Sequence, residues 1–98
     1  MGFVIRDPEG NIISLKVDKT YQKSIIGAEA AALHAGIKEA VKLKIQKLEI
    51  EGDNISVINA LMGTWKCPWE IEMIISDSQL DLQKIPAIQI RHVFRELN

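Results

Sequence analysis

Two acidic residues occupy settings in which carboxylates commonly hold divalent cations. Glu29 lies near the start of an alanine-rich segment, GAEAAALHAGIKEAV, and Asp53 ends an apolar run in LEIEGDNISVINAL. A carboxylate at the carboxyl end of a strand, beside one from the start of a helix, offers the oxygen ligands that Mg²⁺ prefers. One or two carboxylates with water and substrate phosphates usually suffice for such an ion. Divalent-cation binding by Glu29 and Asp53 is therefore the first chemistry that the sequence predicts.

Each of these two acids also has a structural explanation. A glutamate in the first turn of a helix is favoured by the helix dipole, and an aspartate before a helix is a common N-cap. Position alone favours these structural roles over a ligand role, so the functional interpretation needs further support from the surrounding sequence.

Composition limits the class of protein. The chain has 98 residues, which is one small domain, and a hydrophobic content of 47%, which is enough for a core. Its formal net charge of −1 provides no overall basic field for nucleic acid. The single cysteine, Cys67, excludes an internal disulfide and suits a reducing compartment. Without a long apolar run or a secretory leader, we expect an intracellular protein, cytoplasmic or nuclear, with no membrane span.

The first half of the chain predicts a β-hairpin followed by a helix. Apolar runs at 3–5 and 12–17 flank the turn cluster DPEGN, which is typical of a hairpin. From about residue 24 or 27 to residue 43 the apolar residues recur with a helical period. The predicted buried face of this helix consists of Ala30, Leu33, Ile37 and Ala40.

The second half predicts a strand, two helices and a last strand. The strand is expected at 48–51, and Asp53 or Asn54 would cap a short helix that ends at Gly63. Pro68 suits the start of a third helix, and residues 87–94 alternate as in a strand. The order β-β-α-β-α-α-β predicts an α/β fold, a mixed sheet with helices packed on it.

Three segments carry a resemblance to a known family. They are GFVIRDPEGNII, then GAEAAALHAGIKEAVKLKIQKLEIEGDNISVINAL, and then IRHVFRELN. In this order and spacing they resemble the plant-type ribonuclease H-like family, also described as RNase H type 1 or reverse-transcriptase-like. The resemblance covers nearly the whole chain. It implies the ribonuclease H fold, a five-stranded mixed sheet with flanking helices, and Mg²⁺- or Mn²⁺-dependent hydrolysis of the RNA strand in RNA–DNA hybrids.

The resemblance also implies a site of four acids, two of which have counterparts here. Glu29 matches the acid early in the first long helix, and Asp53 matches the acid that ends the fourth strand. The acid of the first strand would lie before Met1, and the acid of the last helix would lie after Asn98. The resemblance thus implies that residues 1–98 form a single partial domain without the first, central strand and the last helix.

A site reduced to two acids predicts weak cation binding and no catalysis by the isolated chain. Two-metal sites hold their ions about 3.5–4 Å apart around a phosphoryl group. Such a close pair of dications needs several carboxylates to offset its repulsion, and the family's first-strand acid bridges both ions. Glu29 and Asp53 are expected to hold one Mg²⁺ through water molecules.

A missing central strand would leave unpaired N–H and C=O groups on two inner strand edges. Several outcomes stay open. The hairpin closes directly onto the strand at 48–51, another chain donates a strand or copies self-associate, or the isolated chain is unstable. A further alternative is that Met1 is an internal methionine of a longer protein.

Three functions stay open at this level. The first is a hydrolase domain that acts on RNA–DNA hybrids through Glu29 and Asp53. The second is a non-catalytic module that contacts nucleic acid or a protein through an open sheet edge. The third is a gene-model fragment of a larger, retroelement-derived protein. No substrate-binding residue is assigned.

Other conspicuous residues are predicted to be structural. Glu51 shares a strand face with Asp53 but is not used as a ligand in the family, and it is expected to be structural. His92 alternates with apolar residues on a strand and is expected to be a packed histidine rather than a base. His34 is expected to face solvent on its helix. Trp65 and Trp69 are expected to have core or packing roles, with base stacking as the minority alternative.

Overall fold

A computed structural model describes residues 3–15, 25–64 and 66–93 of the chain. Val17, Trp65 and Phe94, which the sequence interpretation used, lie outside the described residues. The elements are β1 Phe3–Arg6, β2 Ile12–Leu15, α1 Ile25–Lys42, β3 Lys47–Gly52, α2 Ile55–Leu61, α3 Trp69–Leu82 and β4 Ala87–His92. This order confirms the predicted α/β arrangement. Over these ranges, no helix has the length and apolar content that a membrane crossing requires.

Four strands form one mixed sheet in the order β2-β1-β3-β4. β1 is antiparallel to both β2 and β3, whereas β3 and β4 run parallel. β1 lies directly beside β3, with Phe3 opposite Gly52 and Ile5 opposite Ile50. Of the arrangements left open by the sequence, the structure therefore has the hairpin closed directly onto the third strand. The backbone groups on those facing edges pair with each other, which avoids the cost of unpaired groups in the core.

The hairpin turn is stabilised by its aspartate. One carboxylate oxygen of Asp7 accepts hydrogen bonds from the backbone N–H groups of Glu9 and Asn11, at 3.0 and 2.8 Å. Gly10 adopts a φ of 86°, a conformation that side chains with a Cβ rarely take. The turn predicted from DPEGN is confirmed, and it fixes the direction in which β2 returns along β1.

The core lies between the sheet and the helices. All four residues of the predicted α1 face are buried, which confirms the helical period read from the sequence. They pack with apolar residues of the inner strands and of α3. Burial of an isoleucine or leucine side chain contributes about 1.5–3 kcal/mol. The strand and α3 residues of this core include Ile5, Leu48, Ile50, Ile71, Ile75 and Leu82.

Two predictions about single side chains are wrong. His34 does not face solvent freely, because α3 packs along α1 and places the Asp81 Oδ2 atom 3.3 Å from the His34 Nε2 atom. Trp69 is 81% exposed rather than in the core. The buried side of α3 is formed by residues 71, 75, 78 and 82, and Trp69 at the first position of the helix falls outside that row.

Candidate divalent-cation site

Glu29 is buried completely, at 0% exposure, within α1. The helix begins at Ile25, so Glu29 is its fifth residue, and the first turn of the helix holds no acidic residue. The helix-dipole explanation for Glu29 is therefore wrong, because that effect acts within the first turn. A fully buried carboxylate is rare unless a partner compensates it, which makes its contacts informative.

The two oxygens of the Glu29 carboxylate have different environments. Oε1 accepts a hydrogen bond from the Asn54 Nδ2 group at 3.1 Å. Oε2 is buried and has no hydrogen-bond partner. A buried polar atom without a partner costs on the order of 1–3 kcal/mol. An oxygen held in this state inside the fold is suited to bind a hard cation, which would compensate the cost.

The pKa of Glu29 is raised above its ordinary value. Burial is the main cause, because it disfavours the charged carboxylate. The hydrogen bond from Asn54 opposes the rise, and the negative charge of Asp53 adds to it. Asn54, which contacts Glu29, is the residue after Asp53, so the two predicted acids lie in the same part of the fold. A cation bound to Glu29 would favour its ionised form.

Asp53 follows directly on the end of β3, but it is not the helix cap. The N-cap of α2 is Asn54, whose Oδ1 atom accepts from the backbone N–H groups of Ser56 and Val57 at 3.0 and 3.3 Å. Of the two N-cap alternatives, Asn54 is confirmed. The structural explanation offered for Asp53 therefore does not apply. The Asp53 carbonyl oxygen lies 3.3 Å from the His92 Nε2 atom, so this histidine contacts the main chain beside the site.

Gly52 is a residue of the site that the sequence interpretation missed. A Cβ atom at this position would overlap the ring of Phe3 on the neighbouring strand and lie 3.3 Å from the Ile58 Cδ1 atom. Glycine thus permits the close approach of β1, β3 and α2 immediately before Asp53. The available signal was a glycine inside a strand pattern, which often marks the close approach of another element.

Glu51 has the structural role predicted for it. Its Oε1 atom lies 2.5 Å from the Arg6 Nη1 atom, and its Oε2 atom pairs with the Arg91 guanidinium. The hydrogen bond from Arg6 is the main reason why the pKa of Glu51 is lowered, and the positive charge of Arg91 adds to it. Both oxygens are engaged with guanidinium groups on β1 and β4, so this carboxylate is not a further ligand.

The donor atoms fit one hard cation rather than a close pair. Among the residues that the structure describes, no cluster of three or more histidine, cysteine or acidic side chains could hold a metal. A single Mg²⁺ or Mn²⁺ that keeps several waters needs only one or two carboxylates. Glu29, whose buried Oε2 atom has no hydrogen-bond partner, and Asp53 would supply them. Two dications about 3.5–4 Å apart would lack the negative charge needed to offset their repulsion.

The sequence model of one family, described as reverse transcriptase-like, matches residues 1–98. This chain belongs to the reverse transcriptase-like family. This membership confirms the resemblance read from the sequence. A search of curated proteins finds no match.

Solved structures show that this reverse transcriptase-like chain has the ribonuclease H-like α/β fold. The N-terminal RNase H domain of a Mycobacterium tuberculosis protein, solved as a fusion with maltose-binding protein, superposes with a TM-score of 0.80 at 20% identity. RNase H1 from the halophilic archaeon Halobacterium salinarum superposes with a TM-score of 0.77 at 24% identity. Both matches cover 94% of this chain, with 72% and 70% of the respective structures. The identity is low, so these matches define the fold.

Proposed function

We propose that this reverse transcriptase-like chain is a ribonuclease H-type domain that binds one divalent cation through Glu29 and Asp53. The observation that carries the proposal is the buried Glu29 Oε2 atom, which has no hydrogen-bond partner, while Oε1 of the same carboxylate is held by Asn54, the residue after Asp53. Family membership and the ribonuclease H-like fold support a ribonuclease H-type domain. Mg²⁺ or Mn²⁺ is the proposed ion, because both acids offer hard oxygen ligands.

The proposed substrate is an RNA–DNA hybrid, and the proposed role of the chain alone is binding without cleavage. A bound ion would supply a positive charge for a backbone phosphate oxygen, which the net charge of −1 does not provide by itself. The chemistry of hybrid hydrolysis in a two-metal site needs a second ion to stabilise the leaving oxygen. Glu29 and Asp53 would hold only one ion, so cleavage would require carboxylates from outside the described residues.

A hybrid-cleavage assay tests this proposal. A fluorescently labelled RNA–DNA hybrid is incubated with the wild-type chain and Mg²⁺ or Mn²⁺, beside Asp53→Asn and the matched control Asp77→Asn, which alters an exposed acid of α3. We expect no cleavage above the background of Asp53→Asn. Cleavage by the wild type and by Asp77→Asn that Asp53→Asn abolishes would refute the proposed inactivity and favour the hydrolase hypothesis.

The same proteins separate cation-assisted binding from the interaction-module alternative. Hybrid binding, measured by fluorescence anisotropy, is expected to rise when Mg²⁺ is added to the wild type, because an ion held by Glu29 and Asp53 would supply positive charge to a backbone phosphate. Asp53→Asn is expected to remove that rise. Hybrid binding that is the same with Mg²⁺ and with a chelator would contradict a role of the cation and favour the non-catalytic interaction module.

A further inference from the structure

Asn54 makes two contacts with one side chain. Its carbonyl oxygen accepts from the backbone N–H groups of Ser56 and Val57, which begin α2. Its amide nitrogen donates to the Glu29 Oε1 atom on α1. The two N–H groups fix which end of the amide is the oxygen, because a flipped side chain would place its nitrogen against other donors. The NH₂ group is thereby directed to the carboxylate.

Asn54 connects the two candidate ligands, because it follows Asp53 in the chain and its side chain contacts Glu29. Asp53 and Asn54 are consecutive in the chain, so a single peptide unit connects one ligand to the side chain that holds the other. The Glu29 carboxylate cannot rotate without breaking the Asn54 hydrogen bond, which engages Oε1 and leaves Oε2 without a partner. An ion thus meets a carboxylate that is already oriented.

We propose that Asn54 is the positioning residue of the cation site, which sets the orientation of the Glu29 carboxylate relative to Asp53 and is not merely a helix cap. This inference rests on the proposed cation site. It adds a residue that the family resemblance and the sequence pattern did not assign. Hydrogen bonds that orient a ligand from outside the metal's own shell typically change metal affinity by about 10–100-fold when removed.

The two contacts of Asn54 are separable by substitution. Serine and threonine are good N-cap residues, so Asn54→Ser and Asn54→Thr retain an oxygen for the N–H groups of α2. Their hydroxyl is shorter than the asparagine amide and cannot reach the Glu29 Oε1 atom, which lies 3.1 Å from the Nδ2 atom. Asn59→Ser is the matched control, because it makes the same chemical change within α2.

The experiment measures Mn²⁺ affinity by isothermal titration calorimetry, with the metal alone as the probe, and folding stability by urea denaturation. We expect Asn54→Ser and Asn54→Thr to weaken Mn²⁺ binding by about tenfold or more. Their urea midpoints should stay close to that of Asn59→Ser, and Asn59→Ser should bind Mn²⁺ as the wild type does. If Asn54 only capped α2, Asn54→Ser and Asn54→Thr would leave the Mn²⁺ affinity unchanged, and this result would overturn the inference.

The outcomes distinguish this inference from the proposed function. If Glu29→Gln loses Mn²⁺ binding while Asn54→Ser and Asn54→Thr bind like the wild type, the positioning role is overturned and the cation site stands. If the wild type does not bind Mn²⁺, both proposals fail.

A second readout uses the wild type alone and does not depend on how the variants fold. In ¹H–¹⁵N spectra, the side-chain NH₂ signals of Asn54 should shift on addition of Mg²⁺, with the same apparent affinity as the backbone amide of Asp53. NH₂ signals that do not move while the Asp53 amide shifts would overturn the inference.

Discussion

Replacement of Gly52 by alanine tests the direct pairing of β1 with β3. Phe3 is buried, at 3% exposure, and lies opposite Gly52 in the register of these strands. A Cβ atom at position 52 would come within van der Waals overlap of two ring carbons of Phe3, and it would lie 3.3 Å from Ile58 Cδ1. The ring has to move, but close-packed neighbours leave it little room.

The expected cost follows from this overlap. Inserting a methyl group into a well-packed core costs typically about 1–3 kcal/mol. Replacing glycine by alanine also restricts the unfolded chain, which returns about 0.4–1 kcal/mol. We therefore expect Gly52→Ala to lower the free energy of unfolding by about 1–2 kcal/mol. In a domain of this size each kcal/mol lowers Tm by roughly 4–8 °C.

A double-mutant cycle identifies the cause. In a Phe3→Leu background the ring is absent, so Gly52→Ala should cost much less than in the wild type, with a coupling energy of about 1 kcal/mol or more. Gly10→Ala is the control, because that position has nothing within 4 Å of a Cβ and its cost is strain at φ 86°. Its effect should simply add to that of Phe3→Leu. A coupling energy near zero between positions 3 and 52, measured by urea denaturation, would show that β1 does not lie beside β3.

Two further predictions concern the pH dependence of stability, measured as urea unfolding between pH 3 and pH 8. The pKa of Glu51 is lowered because of Arg6 and Arg91. Its ionised form therefore stabilises the fold at pH values above 4.5, its ordinary pKa, and this contribution is lost as the pH falls through the lowered pKa. Glu51→Gln should therefore destabilise the chain at neutral pH by about 1 kcal/mol or less, since the ion pairs are partly exposed. The difference in unfolding free energy between variant and wild type should disappear in acid. A difference that stays constant at all pH values would contradict this. The pKa of Glu29 is raised. In the metal-free chain the protonated side chain therefore stabilises the fold below pH 4.5, and this contribution is lost as the pH rises through the raised pKa. Glu29→Gln should thus be more stable than the wild type at neutral pH without metal, and a variant that is less stable there would refute the burial argument.

The fold was largely predictable from the sequence because periodicity reports which side of an element is buried. Ala30, Leu33 and Ile37 repeat with a helical period, and all three are buried. Periodicity within one helix does not predict contacts with a neighbouring helix. His34 lies off the α1 row that faces the sheet, and only the arrival of α3 explains its contact with Asp81.

The sequence was sufficient to propose the two candidate ligands, but it did not predict the contacts around them. Glu29 and Asp53 could be identified from the family pattern around them. The roles of Gly52 and Asn54 depend on contacts with Phe3 and Glu29, which are distant in sequence and are brought near by strand register and by the approach of α1. Local propensity made Asn54 one of two cap candidates, but it carries no information about a second partner on another helix.

The number of Mn²⁺ ions bound per chain tests the central claim most directly. Calorimetric titration of the wild-type chain should give one ion, and Glu29→Gln or Asp53→Asn should abolish binding, whereas Asp77→Asn on the exposed surface of α3 should not change it. One site is expected because Glu29 and Asp53 are the only proposed ligands and the described residues contain no cluster of three or more possible metal ligands. Two ions bound per chain, or one ion whose binding survives both Glu29→Gln and Asp53→Asn, would contradict the account.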